Sequence, residues 1–65
     1  MSAKKSVEDR FLAIQEYARE NHISLGLEFD PVVDKWIAWD NEEQITDSCD
    51  GLEALVEALE SEFDL

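Results

Sequence analysis

Leu52, Leu55, Val56, Leu59 and Phe63 lie at i, i+3, i+4, i+7 and i+11. That spacing is one apolar stripe of an amphipathic helix, and it must be buried against another layer. The partner is written upstream. Ile23, Leu25, Leu27 and Phe29 alternate with Ser24, Gly26 and Glu28, the period of a half-buried strand. A helix stripe and a strand face in a chain of 65 residues predict a single α+β domain. Its core includes Phe11, Ile14, Leu25, Leu27, Phe29, Leu52, Leu55, Val56 and Leu59.

The remaining elements follow. Ser6 caps a first helix, with Asp9 three residues on as a short form of the capping box. Val7, Phe11, Ile14 and Ala18 make its apolar stripe, which Leu12 widens. Asn21 and His22 end it. Asp30-Pro31 is a turn signal, KWIAWD a second strand, Asp40–Glu43 a second turn, and QITDS (44–48) a short third strand. Asp50 is expected to cap the last helix, with Gly51 at the turn and Glu53 completing the box. The order is αββα or αβββα, an antiparallel sheet with two helices packed on one face. Residues 1–5 are expected to be disordered.

Charge is lopsided. The chain holds 17 acids and five bases, net −12. Residues 1–35 carry seven acids and all five bases, whereas residues 36–65 carry ten acids and no base. Self-repulsion on that scale works against a compact state. Glu53, Glu57, Glu60 and Asp64 recur at i, i+4, i+7 and i+11, a carboxylate stripe on the last helix. Like charges at that spacing destabilise a helix by a few tenths of a kcal/mol per pair. Asp40, Glu42, Glu43, Asp47 and Asp50 add charge ahead of it. The stripe reads either as a solvated helix face or as an imitation of a nucleic-acid backbone. Duplex DNA carries one charge per about 3.4 Å on each strand. On the second reading, Glu→Gln changes at 53, 57 and 60 remove charge and leave the fold intact. Ile37 and Trp39 share one face of the second strand, which leaves Trp36 as the expected exposed aromatic anchor among these acids.

Other chemistry finds little support. His22 has no Cys or His partner nearby, so no transition-metal site is indicated. Cys49 reads as a plain buried or partly buried thiol and, as the one cysteine, suits a reducing compartment. The acidic loop lacks EF-hand spacing. There is no glycine-rich phosphate loop, no cofactor motif and no catalytic constellation. A minimal enzyme would need a formed pocket. The lack of a basic patch argues against direct nucleic-acid binding. No apolar run is long enough to span a bilayer, and MSAKKSVEDRF lacks a signal-peptide core. A cytoplasmic protein, monomer or dimer, is expected.

LGLEFDPVVDKWIAWD followed by DGLEALVEAL resembles the hairpin and helix of HicB-type antitoxin domains, over roughly residues 23–60. That resemblance implies a regulatory module covering a basic toxin. The chain differs in placing a helix before the first strand. The order of elements also resembles the double-stranded-RNA-binding domain, without that family's basic residues. In size, charge and single-domain plan the chain is similar to small acidic anti-defence proteins of phages and mobile elements, the anti-CRISPR and anti-restriction DNA mimics. That likeness implies a stoichiometric inhibitor of a basic nucleic-acid-binding complex, such as a CRISPR effector, acting in the host bacterial cytoplasm.

Overall fold

The computed structural model describes residues 5–65. The expected disorder of residues 1–4 lies outside the described residues, and Lys5 is exposed ahead of the first helix. The order is α1 (Val7–Glu20), β1 (Leu25–Asp30), β2 (Lys35–Asp40), β3 (Glu43–Gln44) and α2 (Leu52–Phe63). The three strands form an antiparallel sheet in the order β1-β2-β3.

Local chemistry sets most boundaries. The Ser6 hydroxyl accepts the Asp9 N–H at 3.2 Å, closing the N-terminus of α1. At the other end the Ile23 N–H reaches the Ala18 carbonyl at 2.8 Å, while His22 takes a left-handed φ of 56°. This is the reverse turn that commonly stops a helix. In the β1–β2 loop the Asp30 carboxylate accepts the Val32 N–H at 3.0 Å, an Asx turn. Asn41, at φ 58°, turns the chain between β2 and β3.

Two expected details differ. The N-cap of α2 is Gly51, with no side-chain bond, because the Asp50 carboxylate is taken by the Lys35 ammonium. The third strand is Glu43–Gln44, not 44–48. After Ile45, whose N–H reaches the Ala38 carbonyl at 3.0 Å, the chain leaves the ladder and rejoins it at Cys49, paired with Trp36. Within that gap the Thr46 hydroxyl accepts the Ala38 N–H at 3.0 Å. A side chain thus satisfies a buried backbone donor that a longer strand would have met.

Leu25, Leu27, Trp36 and Ala38 share one sheet face, since Leu27 registers with Ala38 and Phe29 with Trp36. These residues join Ile14 of α1 and Leu55, Val56, Leu59 and Phe63 of α2 in one core. Tyr17 stacks on Phe63, with centroids 4.8 Å apart, and so pins the helices together. Both helices therefore cover the same face. The expected core is corrected at its rim: Leu52 and Phe29 are 44% and 43% exposed, and Leu12, read as widening the α1 stripe, is 58% exposed. Leu52 sits in the first turn of α2 and Phe29 at the far end of β1. Both lie where the helix layer ends.

Candidate functional site

Trp36 is the clearest correction. It belongs to the helix-covered face, packs against the core and lies 5.2 Å from the Phe29 ring. It is not the aromatic of the open face. That residue is Trp39, half-buried across from Gly26 and Gln44. The register brings the small Ala38 under the helices at 0% exposure, and strand alternation then turns Ile37 and Trp39 outward.

The carboxylate stripe divides into two parts. Glu60 is half-buried and forms a two-pronged pair with Arg10 of α1: Nε to Oε2 at 3.0 Å, and Nη2 to Oε1 at 2.5 Å. Glu53 stands 4.0 Å from the same guanidinium. One arginine thus ties the two helices together through the row read as a free surface. Hydrogen bonding from Arg10 holds the Glu60 carboxyl below its ordinary range. The same bond raises the Arg10 pKa, and Glu60, Glu57 and Glu53 add charge attraction. Glu57 and Asp64 are exposed. Asp64 lies past the end of the helix in a left-handed turn with φ 58°, where the Leu65 N–H closes onto the Glu60 carbonyl at 2.8 Å.

Because folding lowers the Glu60 pKa, this pair stabilises the fold above the unfolded carboxylate range, about pH 4.3. That contribution is lost as pH falls through the folded value. Glu60→Gln is therefore expected to lower the urea midpoint at pH 7, and the gap to the parent should close below about pH 4. A gap independent of pH would mean that the pair does not stabilise the fold through its charge. The Arg10 contact sets Glu60 apart from Glu53 and Glu57, so of the three Glu→Gln changes it is the one expected to cost stability.

The loop acids also divide. Asp40 is half-buried, and its carboxylate accepts the Ser24 N–H at 3.0 Å. Asp50 pairs with Lys35. Glu42, Glu43 and Asp47 are exposed. With Glu57, Glu62 and Asp64 they form no salt bridge among the described residues. Glu62 belongs to no sequence stripe. It lines an open cleft of ≈ 560 Å³ whose other wall includes Gln44, Thr46 and Asp47. The fold alone places Asp47 and Glu62 on that cleft, because the segment after β3 runs beside the last turns of α2. Glu62 and Asp64 also sit at the C-terminal end of α2, which has no basic residue in its last turn. The helix dipole disfavours acids there.

With so few cations nearby, added salt should relieve repulsion. The melting temperature at pH 7 is expected to rise between very low salt and about 0.15 M. A flat response would mean that the acids are already neutralised locally.

Cys49 is buried, and its thiol donates to the Asp47 carbonyl at 3.2 Å. Among the described residues no group of three or more His, Cys, Asp or Glu side chains is placed to hold a metal ion. No helix among them is long and apolar enough to cross a membrane. No protein-family model matches the chain, and no curated protein or solved structure shows significant similarity to it.

Proposed function

We propose that the protein is a non-enzymatic acidic inhibitor that occupies the nucleic-acid-binding surface of a basic bacterial protein, acting as a DNA mimic. One observation carries this reading. Six exposed acids of residues 36–65, Glu42, Glu43, Asp47, Glu57, Glu62 and Asp64, form no salt bridge among the described residues. Two of them stand where the helix dipole opposes them. Folding stability alone gives no reason to keep such charges. A partner with a Lys/Arg groove made for phosphates does, since complementary potential speeds encounter and fixes orientation. Carboxylates held on a helix and on the loop beside it present that potential without the flexibility of a disordered acidic tail. A CRISPR effector, whose target-DNA channel is positively charged, is the proposed partner, and the host cytoplasm the proposed place of action.

The test is displacement. The immobilised protein is exposed to lysate of a CRISPR-bearing bacterium at low salt, and bound proteins are eluted with duplex DNA. The effector is expected to elute with DNA carrying its target. A captured partner that holds DNA and this protein together, without mutual weakening, rules out mimicry. Capture of a small basic ribonuclease that the protein silences moves the assignment to the antitoxin class.

A further inference from the structure

The outer edge of β1 is an unfilled strand position beside a groove. Trp36 and Ala38 turn their backbone groups toward the segment after β3: Trp36 exchanges both bonds with Cys49 at 2.8 Å, and the Ala38 carbonyl accepts from Ile45. Antiparallel ladders alternate. Lys35, Ile37 and Trp39 therefore bond toward β1, opposite Asp30, Glu28 and Gly26. The intervening residues Leu25, Leu27 and Phe29 point their N–H and C=O groups outward. Among the described residues no strand pairs with that edge.

The same edge opens on its helix side into a groove of ≈ 350 Å³ between α1 and β1. Phe11, Ala18, Ile23, Leu25 and Leu27 give it an apolar lining, and Gln15 and Arg19 line it as well. Leu12, exposed, lies on the same side of α1 as Gln15 and Arg19 at helical spacing. Exposed Phe29 continues the apolar face beyond Leu27. On the other side of the sheet β1 carries the acids Glu28 and Asp30, with Gly26 leaving open space beside them. Free edges are usually blunted by lysine, proline or a bulge. This six-residue edge has no lysine, proline or bulge within it, and its only charges, Glu28 and Asp30, are acidic and deter a like-charged strand more than a basic one.

We infer that β1 receives an extended segment of the basic partner as a fourth, antiparallel strand, with apolar side chains entering the α1–β1 groove and alternate Lys or Arg side chains lying beside Glu28 and Asp30. The inference rests on the basic-partner reading above. Strand alternation supplies both requirements at once. Residues opposite Leu25, Leu27 and Phe29 face the groove, and their neighbours face the acids. Arg19 at the groove wall favours an apolar side chain there over a basic one. A second copy of this chain is a poor occupant, because it brings net −12 and its own Glu28 to the same edge.

The probe is a capped nonapeptide of alternating valine and lysine, compared with the same peptide N-methylated at every valine. Methylation keeps the charge and deletes the amide donors that would face β1. At low salt the unmethylated peptide is expected to bind at least about tenfold more tightly, about 1.4 kcal/mol. It should also slow hydrogen exchange at Leu25, Leu27 and Phe29. Glu28→Lys, an exposed change whose folding is checked by melting, is expected to weaken it about tenfold. Equal binding of the two peptides with no edge protection overturns strand addition and leaves the acidic-surface reading standing. Binding of neither peptide overturns strand addition, and the acidic-surface reading is then decided by the DNA-displacement test alone. Edge protection that appears without peptide and fades on dilution assigns the edge to a second copy, and also overturns the inference.

Discussion

Leu55→Ala is expected to lower the unfolding free energy by about 2–5 kcal/mol. Leu55 is 0% exposed and sits in one cluster with Ile14, Ala38, Val56 and Leu59. The cluster joins both helices to the sheet, so the vacated space cannot close without moving an element. A domain of this length has about 3–10 kcal/mol in total. The change therefore removes a large share, and part of the variant population should be unfolded at 37 °C. Urea denaturation measures it: the midpoint should fall with the slope unchanged. Leu12→Ala is the matched control on an exposed position and should stay within about 0.5 kcal/mol. A loss at Leu55 no larger than that at Leu12 would mean that α2 does not pack through this stripe.

Removing charge at Glu42, Glu43, Glu57 and Glu62 together, each to Gln, is expected to slow association with the basic partner by about 10- to 100-fold at low salt. The gap should narrow as salt rises and screens steering. All four side chains are exposed and form no salt bridge among the described residues. The melting temperature should therefore hold or rise. This separates the set from Glu60→Gln, which breaks the Arg10 pair and costs stability. Stopped-flow or surface-binding kinetics read the first effect and thermal melting the second. Unchanged association at low salt would reject the charge-mimic reading, whatever the partner.

Much of the fold was legible because it is local. The stripe at 52–63 and the alternation at 23–29 each state a period, and the period fixes the element. Ser6 with Asp9, Asp30-Pro31 and Asn21-His22 state boundaries through capping and turn chemistry. The imbalance of charge is likewise a property of the sequence, needing no structure to be seen. Among the features that came out otherwise, two show a tertiary reason most plainly. Two large apolar residues, Ile37 and Trp39, suggested an inward face, but the pairing of Leu27 with Ala38 put the small residue under the helices and Trp36 with the core. Asp50 has the chemistry of a helix cap, but Lys35, fifteen residues away, takes its carboxylate.

The site divides along the same line. Sequence alone determined that this chain would carry an uncompensated acidic half, since charge is counted without knowing any contact. Only the tertiary structure decided which acids remain free. Arg10 reaches across fifty residues to Glu60 and converts one member of the stripe into a link between helices. The segment after β3 lies beside α2 and puts Glu62 on the cleft that Asp47 also lines. A helical period reports which residues share a face of one element. It carries no information about which neighbour that face will meet, because long-range pairing is settled by the packing of the whole core.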